Sequence, residues 1–176
     1  MLAEVVRETS SRFGDRAALA TPDGWTCSYR DLDRLSDAVA VWLRDNAGLG
    51  VGSVVALAMP TSVEFLVIYA AIAKLGAITA GVNPHLTPAE QRAAVDACQP
   101  DALLTDSRAT ADAMSIDRTF VVELASSIDD VCRAMRVDGE TPTILPVDAD
   151  RGVAICFTSG STGQPKGALF RDRQLR

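Results

Sequence analysis

The 176-residue sequence predicts an α/β fold, a largely parallel sheet flanked by helices. Three observations lead there. Apolar runs of strand length recur at Val54–Ala58, Ile78–Val82 and Ala102–Thr105, separated by stretches with helical spacing and helix-start signals. The first run is almost continuously apolar, as in a parallel strand buried on both faces. After a long irregular stretch, Val153–Phe157 reads as a further buried strand. It leads into Thr158-Ser159-Gly160-Ser161-Thr162-Gly163-Gln164-Pro165-Lys166-Gly167, a loop of glycines and hydroxyls closing on a lysine.

The elements follow in order. Leu2, Val5, Val6, Thr9 and Phe13 recur at roughly helical spacing, with Gly14 as a stop. Ala17–Ala20 reads as a short strand, turned at Pro22-Asp23-Gly24 into Trp25–Cys27 to make a hairpin. Ser28 and Asp31 resemble a capping box. Leu32, Leu35, Val39, Trp42 and Leu43 then share one face of a helix ended by Gly48 and Gly50. Trp42 on that face is read as core. Pro60 breaks the strand at 54–58. Thr61 and Glu64 have capping-box spacing for an apolar helix over 62–75, with Gly76 just past its end. Its apolar run, Phe65–Ala73, is about half of the roughly 20 residues a membrane span requires. Asn83-Pro84 turns the chain. Thr87-Pro88-Ala89-Glu90 combines an N-cap, a proline at the first helical position and a capping glutamate, for a helix running to about Cys98. Thr119–Val122 is another strand, reached across the polar stretch 106–118. Periodicity fades from Ala125 to Asp150. The expected organisation is a single partial domain: helices and hairpin over 1–50, an α/β core over 51–125, an irregular connection over 126–152, and strand plus loop over 153–176.

Composition narrows the function classes. A net charge of −6 without a basic patch speaks against nucleic acid or an anionic membrane as partner. Arg171, Arg173 and Arg176 read as a solvated face. Cys27, Cys98, Cys132 and Cys156 form no Cys-x-x-Cys pair, so neither a metal site nor a disulfide framework is expected, and each is read as a small core residue. The first residues lack a basic and an apolar signal segment, and a reduced, cytoplasmic setting is the expectation. The single histidine, His85, stands on the Asn83-Pro84 turn without an evident nucleophile or carboxylate partner. It is read as a surface residue, and no catalytic residue is assigned.

The loop carries the chemistry. Gly160 and Gly163 free the backbone to turn successive N–H groups inward as an anion nest. Ser159, Ser161 and Thr162 add hydroxyls, and Lys166 adds a positive charge. Pro165 before Lys166 and Gly167 after it do not fit the P-loop pattern, and 158–167 does not supply Gly-x-Gly-x-x-Gly. A flexible surface loop is the plain alternative. The strand before it and Pro165-Lys166-Gly167 after it argue for phosphate instead.

Thr158 to Gly167 resembles the AMP-binding signature of the adenylate-forming superfamily, which includes acyl-CoA synthetases, nonribosomal peptide synthetase adenylation domains and luciferases. All ten positions fit. Four further segments are similar to the family's: Ser28-Tyr29-Arg30-Asp31-Leu32, Val51-Gly52-Ser53-Val54-Val55-Ala56, Ala73-Lys74-Leu75-Gly76-Ala77, and Val82-Asn83-Pro84 with Leu86-Thr87-Pro88-Ala89-Glu90. The Asn83-Pro84 form is closer to acyl-CoA synthetases. The resemblance implies an N-terminal portion of an ATP-dependent carboxylic acid (fatty acid) CoA ligase, with ATP and Mg²⁺ as cofactors and CoA as co-substrate. It implies that Thr158, Ser159, Gly160, Ser161, Thr162 and Gly163 cradle the β- and γ-phosphates, with Lys166 over the phosphate tail. Family chains run much longer. Their adenine, ribose, Mg²⁺ and acyl sites and their C-terminal domain with its catalytic lysine are not expected within these residues. The chain is therefore expected to be inactive alone, with self-association or a separate C-terminal partner as an alternative role. Asp172 stands where many members carry histidine.

Overall fold

The computed structural model describes residues 2–22, 24–124, 140–158 and 165–174. They fall into two compact units.

The first unit comprises Met1–Gly48, Thr61–Leu75 and Leu124–Pro146. Helices α1 (Leu2–Phe13), α2 (Tyr29–Ala47) and α3 (Val63–Lys74) pack on one another, beside an antiparallel hairpin of β1 (Ala17–Ala20) and β2 (Thr26–Ser28). The Ser28–Asp31 capping box forms as the sequence predicts, and Gly48 ends α2 at φ 63°. The expected cap of α3 moves by one residue. Ser62, not Thr61, accepts the Phe65 N–H, because Ser62 holds the extended conformation (φ −132°, ψ −179°) just before the first helical residue.

The charged residues at the ends of α3 are the larger surprise. Glu64 and Lys74 are 2% and 1% exposed. Lys74 Nζ donates to Asp33 Oδ1 at 2.6 Å, Asp37 Oδ1 at 2.7 Å and the Asp33 carbonyl at 2.8 Å. All three ammonium donors are used, which is what makes a buried lysine tolerable. Removing one partner of such a buried set leaves uncompensated charge, at a typical cost of about 3–5 kcal/mol.

The second unit comprises Leu49–Pro60, Gly76–Glu123 and Val147–Arg176. Its six strands are β3 (Val54–Ala58), β4 (Ile78–Gly81), β5 (Ala102–Thr105), β6 (Thr119–Val121), β7 (Gly152–Thr158) and β8 (Lys166–Arg171). They lie in the order β6-β5-β3-β4-β7-β8, parallel except for β8, which runs antiparallel to β7. The largely parallel α/β sheet flanked by helices is thus the observed fold. Helix α4 (Pro88–Cys98) starts at the Thr87–Glu90 capping box with Pro88 in its first turn.

Two elements were not anticipated. Helix α5 (Arg108–Met114) occupies the polar stretch 106–118, capped by Ser107 and burying only Ala111 and Met114. Arg92 of α4 holds its end by donating to the Met114 and Ala113 carbonyls. Strand β8 begins at Lys166, so this residue stands in the sheet rather than in the loop.

The core of this unit joins Ala56 and Ala58 of β3, Val82, Ala94 and Val95 of α4, Leu103 of β5 and Met114 of α5, with Phe157 packed against them. Strand β7, expected to be buried, is only half so: Val153, Ile155 and Phe157 are partly covered, and Cys156 and Thr158 are exposed.

Candidate functional site

The site is assembled where β7 ends. Strands β3, β4, β5, β6 and β7 run parallel, so Thr158 shares the carboxyl edge of the sheet with Ala58, Gly81, Thr105 and Val121. Ligands of open α/β sheets bind along this edge. Strand β4 exits there toward α4 and β5 on one side. Strand β7 leads to β8 on the other, so the connections diverge beyond the ends of the paired strands β4 and β7.

Thr158 is the register partner of Lys166. Opposed residues of an antiparallel pair lie roughly 5 Å apart at Cα, with side chains on the same face. The two side chains therefore leave the hairpin on one face at the carboxyl edge, and both residues are exposed. Of the predicted phosphate-binding residues, the structure brings these two together. Ser159, Gly160, Ser161, Thr162 and Gly163 lie outside the described residues, as do Cys132 and Arg176. The donor set of Thr158 and Lys166 suits the oxygens of a phosphate tail. A magnesium ion would need carboxylate or phosphate oxygens instead, and no group of three candidate metal ligands occurs among the described residues.

Neighbouring residues fill in the edge. In the β4–β7 register, Ala80 faces Ile155, which brings the residues after β4 alongside the end of β7. There Asn83 Oδ1 accepts the His85 N–H at 2.9 Å, and His85 is exposed on this turn as expected. Asp172, past the end of β8, is 1% exposed, and its N–H donates to the Arg151 carbonyl at 3.0 Å. It is a packed residue.

The cysteines divide. Cys27 is buried, and burial pushes the Cys98 thiol up to about 11. Cys156 is exposed, which corrects its assignment to the core. It shares its face with Thr158 because the two are two residues apart on one strand.

Sequence reasoning missed the packing role of Gly167 beside this site, and of Gly152 at the far end of the same hairpin. A Cβ on Gly167 would meet Ile155 Cγ2 at 2.9 Å, and one on Gly152 would meet Ile78 Cδ1 at 2.9 Å. The available signal was the run Lys166-Gly167-Ala168-Leu169-Phe170, an apolar stretch after a turn, readable as a returning strand.

No described helix is long and apolar enough to cross a membrane. The arrangement, with its phosphate-suited pair at the carboxyl edge, can be set against known proteins. A sequence model of the AMP-binding enzyme family matches residues 6–175. 4-Coumarate–CoA ligase 5 of Oryza sativa subsp. japonica is 34% identical over 166 residues, covering 92% of this chain and 31% of its own length. The N-terminal subdomain of Klebsiella oxytoca NpsA, solved with 3-hydroxybenzoyl-AMSN, superimposes with a TM-score of 0.80 at 27% identity, covering 97% of this chain and 41% of that one. The N-terminal domain of FACL13 from Mycobacterium tuberculosis, at 24% identity and a TM-score of 0.81 over 97% of this chain and 44% of that one, shares the fold. The chain spans about a third of the length of the curated relative it matches at 34% identity. Its fold and its sequence agree: the chain belongs to the AMP-binding enzyme family and corresponds to the N-terminal part of adenylate-forming enzymes.

Proposed function

We propose that the chain supplies the pyrophosphate grip of an ATP-dependent carboxylic acid–CoA ligase. One observation carries this reading: Thr158, the first residue of the signature segment, and Lys166, near its end, are paired at the carboxyl edge of a largely parallel sheet. In the reaction, a carboxylate oxygen of the acid bonds to the α-phosphorus of ATP. The bond from that phosphorus to the bridging oxygen breaks, and pyrophosphate leaves. CoA then takes the acyl group and AMP departs. Negative charge gathers on the leaving pyrophosphate, and donors already in place stabilise it without reorganising. Lys166 supplies charge, and Thr158 with Ser159 to Gly163 supplies hydroxyl and backbone donors. Magnesium would neutralise phosphate charge, and no residue of this chain is assigned to hold it.

The finer reading is a fatty acid substrate, supported by the Asn83-Pro84 form of the turn after β4. The relative named for 4-coumarate makes an aryl acid the alternative. Exposed Val147, and exposed Leu169 in β8, support association with a further polypeptide that completes the site. The 176 residues alone are expected to catalyse no acid-dependent exchange of pyrophosphate into ATP. A clear exchange signal from the purified chain would overturn that expectation.

A further inference from the structure

We infer that Ile155 and Phe157, on the opposite face of the β7–β8 hairpin from Thr158 and Lys166, are positioning residues for the phosphate grip, acting through the bare backbone of Gly167. The inference rests on the phosphate reading of the loop. Phe157 is the register partner of Gly167, one step inside the Thr158–Lys166 pair. Its ring is packed against the core formed by β3, α4, β5 and α5. A Cβ on Gly167 would lie 2.9 Å from Ile155 Cγ2 and 3.4 Å from Phe157 Cε1. Gly167 needs no left-handed backbone. What glycine supplies here is room.

The stiffness of the blocking atom matters. Ile155 Cγ2 is bonded directly to a branched Cβ and cannot swing aside as the end of a long side chain would. One face of Gly167 therefore lies flat on Ile155 and Phe157, and the ladder to β7 fixes its edge. Lys166 is the preceding residue, so its height above the carboxyl edge is set by the same contact. Gly152, at the far end of the hairpin, offers an internal control. There the two nearest atoms are side-chain ends, Ile78 Cδ1 at 2.9 Å and Leu169 Cδ1 at 3.1 Å, with Ile78 Cγ1 behind them at 3.3 Å. A methyl at Gly152 crowds the hairpin without lying next to Lys166.

The test uses the whole 176-residue chain, with inorganic tripolyphosphate as calorimetric probe and exchange of the Lys166 amide as a ligand-free readout. Gly167→Ala should weaken tripolyphosphate binding at least tenfold and speed Lys166 exchange by a similar factor. Gly152→Ala should change both by less than threefold. In a double-mutant cycle, adding Ile155→Ala to Gly167→Ala should restore at least fivefold of the lost affinity. Equal effects of the two alanines, or no rescue by Ile155→Ala, overturn the inference. If the unaltered chain binds no tripolyphosphate but the exchange pattern holds, the positioning stands and the phosphate reading falls. Should Gly167→Ala not fold, Phe157→Leu keeps the question open to measurement: affinity at least threefold weaker supports the inference, and unchanged affinity sinks it.

Discussion

The two sides of the six-stranded sheet begin from similar sequences and end in different environments. Val54–Ala58 and Val153–Phe157 are both near-continuous apolar runs. In β3, Val55 to Leu57 are fully buried and Ala58 is 2% exposed, and β5 is buried along its whole length. In β7 no residue is fully buried, and β8 exposes four of its six residues. Composition makes a run eligible for a core. What lies over it decides whether burial follows. The covered side carries the stability and the open side carries the candidate chemistry, a division common where binding residues sit on a rigid scaffold.

The largest expected effect measures that division. Leu103→Ala in β5 should cost about 2–5 kcal/mol of unfolding free energy, whereas Leu169→Ala in β8, at 45% exposure, should cost less than about 1 kcal/mol. Denaturant midpoints would check both, and equal losses would erase the contrast. Next in size is a change confined to the open side. Lys166→Ala should weaken tripolyphosphate at least tenfold, about 1.4 kcal/mol, while leaving the melting temperature within a degree or two, because its side chain is exposed. Unchanged affinity would remove Lys166 from the grip.

The smallest effect bears on the covered side and on pH. The Thr87 hydroxyl and then the Thr87 backbone N–H donate to Glu90, holding its carboxyl below the usual range. A group whose folded value is depressed adds stability above its unfolded value, near 4.3. That contribution is lost as pH falls through the folded value. Glu90→Gln should therefore flatten part of the stability loss below about pH 4. Identical acid profiles for the two proteins would show that the box contributes nothing through charge.

Legibility in the sequence followed the range of the interaction. The Ser28–Asp31 and Thr87–Glu90 boxes close within four residues, so their spacing was enough. Ser62 displaced Thr61 because both can cap, and only the backbone angles choose between them. Helix α5 was invisible as an amphipathic pattern because alternating alanines hide its two buried residues, Ala111 and Met114. Strand β8 was hidden by the signature itself, since reading Lys166 as the end of a loop obscured the strand that starts there. The candidate pair, Thr158 and Lys166, was half legible: its residue types were plain, but their register depends on a hairpin closing across seven residues. The partners of Lys74 lie 41 and 37 positions away, and no local rule reaches that far.

The buried ammonium has a practical consequence. The sequence contains two lysines, Lys74 and Lys166. One is sealed off with every donor engaged, and the other is exposed at the first residue of β8. Apart from the α-amine, the folded chain thus offers amine-directed reagents a single address, so a covalent tag placed there marks the start of β8.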